Sequence, residues 1–354
     1  MDVGSSPIVV LRDKQDRVRA YFNTCRHRGA KVCQKLQGHA NRLVCPYHQW
    51  SYDLNGTLVF TKTMHAGFDP AGYSLREVRA ETVAGLIYIA LSDDPPDFAP
   101  FREALEPLLA PHDLLNGKIA HVSALVDEEA NWKLVMENAR ECFHCRVVHP
   151  ELMSCFRDPT DNNYFDESSP WLRSFQARCE ANGLRCGPAN GPWWHAMRIP
   201  LPEGVLSITG DGGRAVKKSL GAIGEANVGT MRWAVEPNSF NHALADYVFL
   251  FQAMPTGPLK TTVTAKWVVH KDAAEGVDYD LHHLTEVWEK TNAQDRWLAE
   301  NAQLGVRSIG FRPGPYSQDN ETFVAKFIDW YLETAKDFIS AQRDSMGASV
   351  LVRA

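Results

Sequence analysis

The sequence lacks a membrane-spanning segment, a run of basic residues and a signal peptide. None of its apolar runs approaches the roughly 18 residues of a membrane span, and the longest, 83–91, has the length of a buried strand. There is no run of basic residues and the net charge is −6, so nucleic acid is not an expected partner. The first residues have neither the basic start nor the apolar segment of a signal peptide. We therefore expect a cytoplasmic protein with neither a membrane nor a nucleic-acid partner.

Cofactor fingerprints and a disulfide pattern are also missing. The chain has no flavin or nicotinamide motif and no plant-type ferredoxin spacing of cysteines. Its eight cysteines do not form the framework of a small secreted domain. Six of them are therefore expected to be free thiols in a reducing cytoplasm: Cys33, Cys142, Cys145, Cys155, Cys179 and Cys186.

The other two cysteines belong to two short cysteine–histidine pairs, Cys25-x-His27 and Cys45-x-x-His48. Each pair offers one thiolate and one neutral imidazole from its own loop. A structural zinc site is one reading, because two cysteines and two histidines are a common zinc set. The familiar zinc fingers, however, keep both cysteines on one loop and both histidines on a helix. The mixed pairs favour a [2Fe–2S] cluster with two cysteines on one iron and two histidines on the other.

The chain divides by composition at a segment rich in turn formers, 92–97. Residues before it are predicted to form short strands and turns, including a hairpin at Asn55-Gly56. Residues after it are predicted to mix helices with strands, such as 247–253 and 261–269, and to end in two helices. The sequence thus predicts an α+β protein with domains 1–95 and 96–354. The region 156–230, with scattered glycine and proline, receives no assignment.

A second set of metal ligands is predicted after the linker. His144 and His149 are five residues apart, which places them about 140° apart on an ideal helix. Pro150 disfavours helix at the residue before it, so His144 is expected on a last helical turn and His149 just past it. Both side chains are then able to turn toward one ion. Glu141 lies three residues before His144 and is expected on the same face.

Asp295 is the carboxylate that completes a two-histidine, one-carboxylate iron triad. A helix is predicted over 281–304, stopped by Gly305. Its apolar stripe includes Asp295, and a buried carboxylate must be paired or bind a metal. The stripe consists of Leu284, Trp288, Thr291, Asp295, Leu298 and Ala302. A salt bridge to Arg296 or Arg140 is the alternative. Glu300 and Asp319 are weaker candidates because they lie off the stripe.

Together these motifs resemble the α subunit of Rieske non-haem iron oxygenases, over nearly the whole chain. The resemblance implies an all-β Rieske domain and then a helix-grip catalytic domain with an antiparallel sheet around mononuclear iron. By motif match the cluster ligands are Cys25, His27, Cys45 and His48, and the Fe(II) ligands are His144, His149 and Asp295.

The resemblance also implies partners and an electron path. It implies a homotrimer in which the cluster of one subunit serves the iron of its neighbour through a carboxylate. By position that carboxylate is Glu141, joining His48 to His144, and Asn138 is the asparagine of the same motif. O2 is the co-substrate. A separate flavin and iron–sulfur reductase supplies electrons from NAD(P)H.

One departure from the usual pattern and one local similarity narrow the predicted substrate. Ring-hydroxylating members usually carry aspartate at the bridging position, whereas Glu141 resembles the branch acting on quaternary ammonium compounds, such as carnitine monooxygenase. The last third, including 266–272 and 313–317, is similar to glycine betaine and stachydrine demethylases. The chain also begins almost at the first Rieske strand, whereas family members usually have some tens of residues before it. We expect a monooxygenase that hydroxylates an N-methyl group of a betaine-type substrate and releases formaldehyde.

A quaternary ammonium group is held by aromatic faces, at about 0.5–2 kcal/mol each. The candidates are Phe143, Trp193, Trp194, Phe240 and Phe251, although core packing is the simpler explanation for each. The nearest alternative function is an aromatic-ring hydroxylating dioxygenase with the same iron centres. A Rieske electron carrier and a zinc-stabilised binding protein are the others.

Overall fold

The computed structural model describes residues 1–124, 126–157, 168–223 and 227–351. The chain forms two compact units, Met1–Glu106 and Pro107–Ala354. The predicted linker 92–97 lies shortly before that division. Among the described residues, no helix combines the length and the apolar character needed to cross a membrane.

The first unit is built from short antiparallel strands. One sheet has the order β1-β2-β3-β7-β8, and a second has the order β4-β5-β6. The strands are β1 (Asp2–Val3), β2 (Ser6–Arg12), β3 (Val18–Phe22), β4 (Leu43–Val44), β5 (Ser51–Tyr52), β6 (Leu58–Phe60), β7 (Glu77–Val83) and β8 (Leu86–Ala90). Strands β2 and β3 pair antiparallel, with Ile8 opposite Phe22 and Arg12 opposite Val18.

The predicted Asn55-Gly56 turn joins β5 to β6 and fixes the chain behind the second ligand pair. Asp53 caps the turn, since its Oδ1 accepts hydrogen bonds from the N–H groups of Asn55 and Thr57, each at 2.9 Å. Gly56 has a φ of +79°, and a Cβ atom there would lie 2.5 Å from the Tyr21 ring. Only glycine therefore fits this turn without displacing a core aromatic side chain.

The second unit is an antiparallel sheet with helices packed on it. The sheet has the order β10-β16-β15-β14-β13-β12-β11, and β9 also pairs with β16. The strands are β9 (Gly117–Val122), β10 (Val126–Glu128), β11 (Ala189–Gly191), β12 (Trp194–Ile199), β13 (Thr230–Val235), β14 (Ser239–Ala243), β15 (Val248–Gly257) and β16 (Lys260–His270). Helix α1 (Ala99–Leu109) precedes this sheet. The helices that follow are α2 (Trp132–Asn138), α3 (Cys145–Val148), α4 (Pro150–Cys155), α5 (Pro170–Ala181), α6 (Leu281–Val306) and α7 (Thr322–Leu351).

Helix α6 confirms the predicted helix and buries its N-terminal half as expected. Asp280 caps its first turn by accepting a hydrogen bond from the His283 N–H at 2.9 Å. Leu284, Trp288 and Thr291 are buried. The last two positions of the predicted stripe are wrong, since Leu298 is only half-buried and Ala302 is exposed.

The loop between β10 and α2 explains why the buried face of α6 near its C-terminal end differs from the predicted stripe. Its backbone N–H groups at Glu129 and Asn131 donate to the Glu300 and Gln303 side chains of α6, at 3.1 and 2.8 Å. Gln303 is therefore buried by a loop and not by the sheet. The contact consists of backbone hydrogen bonds to polar side chains. A pattern of hydrophobic residues therefore cannot predict it.

A buried ion pair ties the chain after α2 to the sheet. Arg140 is 1% exposed and its Nη2 lies 2.5 Å from Glu236 Oε2.

Removing one partner of this pair leaves the other charge buried and unpaired, so Glu236→Gln should lower the free energy of unfolding by about 3 kcal/mol. Chemical denaturation measures this loss. Glu203→Gln, at an exposed site, should change nothing, and the double variant Arg140→Met/Glu236→Gln should recover part of the loss. A stable single variant would contradict the pairing.

Candidate metal centres

The two cysteine–histidine pairs meet on neighbouring loops of the first unit. Each loop is a tight turn, closed by hydrogen bonds from Gly29 N–H to Cys25 C=O at 2.9 Å and from Gln49 N–H to Cys45 C=O at 3.0 Å. The His27 and His48 rings are 4.6 Å apart, edge to face. Both cysteines are buried, whereas His27 is exposed. Sulfur ligands therefore lie inside and the imidazoles lie at the surface.

Two aromatic residues that follow the second pair hold these ligands in place. The Tyr52 hydroxyl lies 3.3 Å from Cys25 Sγ and accepts a hydrogen bond from the Arg26 N–H at 3.0 Å. The Trp50 ring stacks on His27 with centroids 4.8 Å apart. Burial raises the pKa of the Tyr52 hydroxyl, so it stays a proton donor beside the sulfur. The spacing of the pairs gave no indication of either contact.

The donor set of this site fits a [2Fe–2S] cluster. It consists of two buried thiols and two adjacent imidazoles, on separate loops that each contribute one of both kinds. Burial raises the pKa of the Cys45 thiol, and its contact with Cys25 raises it further. Two facing thiols of this kind become stable thiolates when a metal ion replaces their protons.

The second pair of histidines lies on either side of a short helix. Helix α2 ends at Asn138, His144 precedes α3, and His149 lies between α3 and α4. The expectation that His144 ends a helix is therefore wrong, while His149 does lie just past one. The carboxylate of Glu141 accepts a hydrogen bond from the Phe143 N–H, which replaces a helical hydrogen bond in this loop.

The structure brings the three predicted iron-binding residues together. The Nε2 atoms of His144 and His149 are 3.1 Å apart. Asp295 Oδ1 lies 3.2 Å from the first and 3.0 Å from the second. Three donor atoms from two separate parts of the chain thus converge on one point.

The other ring nitrogen of each histidine has its own partner. His144 Nδ1 lies 2.5 Å from Glu141 Oε1, and His149 Nδ1 lies 2.7 Å from Gln294 Oε1. These acceptors keep the proton on Nδ1 and direct the Nε2 lone pair inward, as is usual for metal ligands. Gln294 was missed, although it directly precedes Asp295. Asn138 Nδ2 lies 3.4 Å from His144 Nε2.

The electrostatics of the site also fit a cation. Asp295 Oδ1 is buried and makes no hydrogen bond of acceptable geometry within the described residues. Burial alone would raise the pKa of Asp295, but the two imidazoles outweigh it and lower the pKa. Arg296 pairs with Glu300 and Arg140 with Glu236, so neither forms the alternative salt bridge. A metal ion satisfies an orphaned carboxylate oxygen between two imidazoles.

Two cysteines beside His144 form a disulfide, Cys142–Cys145, with Cα atoms 4.9 Å apart. The expectation of free thiols is wrong for this pair. Their spacing of three residues, with the loop between them turning into α3, brings the sulfurs together. The other four cysteines of that group are free.

The predicted aromatic residues lie on several elements of the second unit. Phe143 is 57% exposed, and Trp193 and Trp194 lie at the start of β12. Phe240 and Phe251 pair across β14 and β15 with ring centroids 4.5 Å apart.

A larger aromatic cluster surrounds that last pair. Trp288 of α6 stacks on Phe249 at 4.2 Å and lies 5.0 Å from His242. Trp288 is seven residues before Asp295, hence two turns away on the same face of α6. The apolar stripe of α6 therefore places Trp288 on the same face as Asp295, and this position could have predicted that the aromatic cluster lies on the side of the iron site.

Glu128 is a second buried acid near this site. It is 4% exposed, and burial, with the charge of Asp295, raises its pKa to about 8. Since the folded pKa exceeds the unfolded one, stability is lost as the pH rises from about 4.5 to 8. Glu128→Gln should therefore raise the free energy of unfolding relative to wild type by about 1–3 kcal/mol at pH 8, and much less at pH 5, with a corresponding rise in melting temperature. Thermal scans at both pH values measure this, and a difference independent of pH would contradict it.

Comparison with known proteins assigns a family to each of two parts of the chain. Residues 1–77 match the Rieske [2Fe-2S] domain family, and residues 118–336 match the ring hydroxylating alpha subunit (catalytic domain) family. The chain is 41% identical over 338 residues to a glycine betaine monooxygenase oxygenase subunit of Pseudomonas aeruginosa, covering 94% of this chain and 79% of the relative. A carnitine monooxygenase oxygenase subunit of Acinetobacter pittii is 29% identical and covers 57% of each chain.

Solved structures show the same fold. The quaternary ammonium Rieske monooxygenase CntA, described with carnitine oxidation and inter-subunit electron transfer, has a TM-score of 0.68 at 19% identity, covering 92% of this chain and 81% of CntA. The predicted α+β class, with a β-rich domain before a catalytic domain built on an antiparallel sheet, is confirmed. The two domains imply a Rieske cluster in the first and mononuclear iron in the second. The chain therefore belongs to the Rieske oxygenases, with a Rieske [2Fe–2S] domain followed by the catalytic domain of ring-hydroxylating α subunits.

Proposed function

We propose that this chain is the oxygenase component of a monooxygenase that removes an N-methyl group from a small betaine. The relatives named glycine betaine and carnitine monooxygenase oxygenase subunits support this substrate class. Glycine betaine is the first substrate to test, because the similarity to the glycine betaine monooxygenase subunit covers 94% of this chain.

One observation carries the proposal: His144, His149 and Asp295 direct three donor atoms to one point. The set has two imidazoles and one carboxylate, which is the ligand set of non-haem Fe(II) oxygenases with open coordination positions. When bound, the cluster supplies electrons one at a time and the iron supplies O2 activation. The hydroxylated N-methyl carbon then separates as formaldehyde and leaves the demethylated amine.

Glu141 is proposed to connect the two centres across subunits of a homotrimer. Its Oε1 lies 2.5 Å from His144 Nδ1, and each carboxylate oxygen has a second lone pair for another donor. The imidazole of His48 in a neighbouring copy is the proposed donor. Inter-subunit electron transfer described for CntA supports this arrangement.

The aromatic cluster of β14, β15 and α6 is proposed to hold the quaternary ammonium. Such a cation cannot lose a proton or donate a strong hydrogen bond, so aromatic faces are the groups that recognise it. Phe240 is the best placed of the predicted residues, because it is only partly buried and lies against Phe251 and Phe249.

A ring-hydroxylating dioxygenase is the second candidate. An anthranilate 1,2-dioxygenase large subunit of Burkholderia cepacia is 35% identical to this chain, but over 159 residues that cover only 42% of it. The same iron site would serve both reactions. The two functions therefore differ in the residues that bind the substrate.

A substrate panel tests the proposal. The iron-loaded protein with a surrogate NADH-dependent reductase is supplied with O2 and glycine betaine, stachydrine, carnitine, choline or aromatic acids. We expect formaldehyde from one or more betaines and no turnover of aromatic acids. Diol formation from an aromatic acid, without formaldehyde from any betaine, would assign the chain to the second candidate.

A further inference from the structure

The hydrogen-bond partner of His149 at the iron site has a second partner of its own. Gln294 Oε1 lies 2.7 Å from His149 Nδ1, and Gln294 Nε2 donates a hydrogen bond to Glu151 Oε2 at 3.0 Å. Glu151 lies at the start of α4, two positions after His149, and Gln294 directly precedes Asp295 on α6. One glutamine side chain therefore joins the two chain segments that supply His149 and Asp295.

A glutamine amide is an ambiguous partner for a histidine, because it has an acceptor at one end and a donor at the other. With the amide oxygen toward Nδ1, the ring carries its proton on Nδ1, and the Nε2 lone pair is free to bind a metal. With the amide nitrogen toward Nδ1, that ring atom must accept. The proton is then on Nε2, where it blocks metal binding. Gln294 by itself does not select between these two orientations.

Glu151 selects one of them. An ionised carboxylate only accepts hydrogen bonds, so the end of the Gln294 amide that faces Glu151 must be the NH2 group. The oxygen end is then directed at His149. A reversed amide would place its oxygen against the carboxylate and lose a hydrogen bond worth about 1 kcal/mol or more.

The two iron-site histidines differ in this respect. His144 Nδ1 faces the carboxylate of Glu141, which accepts at both of its oxygens and cannot be reversed. His149 Nδ1 faces an amide. Only the orientation of His149 therefore depends on a group beyond its direct partner.

The other contact of Glu151 is an ion pair with Lys290, which lies one turn before Gln294 on the same face of α6. Lys290 Nζ is 3.9 Å from Glu151 Oε1, and the two side chains are 48% and 32% exposed. Exposed pairs of this kind contribute about 0–1 kcal/mol. The shorter hydrogen bond from Gln294 is therefore the contact through which Glu151 acts.

We infer that Glu151 is a positioning residue for the iron site, which fixes the Gln294 amide so that His149 Nε2 presents its lone pair to the metal. The inference rests on the ligand role of His149 in the proposed function. Glu151 acts through Gln294 and is not itself a ligand. Its loss should therefore weaken iron binding while all three ligands remain.

Iron binding by Glu151→Leu tests the inference, because leucine cannot accept a hydrogen bond. The Glu151 side chain lines an open surface pocket with Asp211 and His283, so the change leaves the core intact. Anaerobic titration of the empty catalytic site with Fe(II), in protein that keeps its cluster, should show about tenfold weaker affinity. The EPR spectrum of this iron with nitric oxide should also change, because one fixed hydrogen bond no longer holds the His149 ring.

A second-site variant separates orientation of the amide from packing and charge. Glu151→Leu/Gln294→Glu should recover the wild-type affinity, because a carboxylate at position 294 accepts at both ends and no longer needs Glu151. A packing or charge effect of Glu151 would not be repaired in this way.

Lys290→Met is the matched control. It removes the ion pair to Glu151 and keeps the contact with Gln294, so it should bind Fe(II) as tightly as the wild type. Both single variants, free of catalytic iron, should keep the wild-type melting temperature because the lost surface ion pair contributes little.

Four results would overturn the inference. They are wild-type affinity and EPR spectrum in Glu151→Leu, a double variant as weak as Glu151→Leu, an equal loss in Lys290→Met, and a fall in the melting temperature of iron-free Glu151→Leu that accounts for its weaker binding. His149→Ala tests the proposed ligand role separately. Retention of iron there would overturn that role, whereas loss of iron there with no effect of Glu151→Leu would overturn this inference alone.

Discussion

Asp295→Ala should abolish turnover and remove the mononuclear iron while the protein keeps the colour of its cluster. Asp295 Oδ1 is the only anionic donor among the three atoms that converge. Its loss leaves two neutral imidazoles, which hold Fe(II) weakly. Since losing a partner that only orients a ligand already costs about 10–100-fold, losing the ligand itself should cost more than about 100-fold in activity.

Metal analysis and the visible spectrum measure the two centres separately. Iron content should fall from three per chain to two, and the cluster absorbance should be unchanged. Asp319→Ala is the matched control, because it removes an exposed carboxylate of the same unit. Full iron content in the Asp295 variant would remove Asp295 from the ligand set.

Glu141→Gln should slow electron transfer to the iron by about 10–100-fold and leave both metals bound. Glutamine keeps the length of the side chain and an oxygen that accepts from His144 Nδ1, so His144 keeps its orientation. It loses the negative charge and one acceptor oxygen, and with them the proposed link to His48 of a neighbouring copy. The lost link, and not a lost metal, is the reason for the slower rate.

Single-turnover kinetics of the pre-reduced protein test this account of Glu141. The rate of cluster oxidation after addition of substrate and O2 reports electron transfer directly. Glu203→Gln, at an exposed site in the same unit, should behave as the wild type. If cluster oxidation in the Glu141 variant is as fast as in the wild type, the carboxylate has no bridging role. If iron is lost instead, Glu141 acts only by positioning His144.

The sequence predicted the ligands better than the contacts that orient them. Cys25-x-His27 and Cys45-x-x-His48 are local patterns, and the stripe on α6 identified Asp295 because helical periodicity is a local property. Tyr52 and Gln294 contact their partners across 27 and 145 residues. No local pattern encodes such separations, so these two roles appear only in the folded chain.

The loop between α2 and α3 shows where periodicity fails. A helix was expected to reach His144, but Glu141 binds the Phe143 N–H and His144 Nδ1 instead. Side-chain hydrogen bonds to the backbone compete with helical ones, and the disulfide Cys142–Cys145 closes the same turn. The proposed role of Glu141 depends on that break, because a continuous helix would not place its carboxylate against both groups.

A single turnover of the reduced oxygenase alone tests the central claim most directly. The protein is loaded with iron, its cluster is chemically reduced, the reductant is removed, and glycine betaine and O2 are added. We predict that cluster oxidation is accompanied by formaldehyde and dimethylglycine in equal amounts, with none formed when O2 is withheld. A reduced, iron-loaded protein that oxidises its cluster but yields no formaldehyde from any betaine would contradict the account.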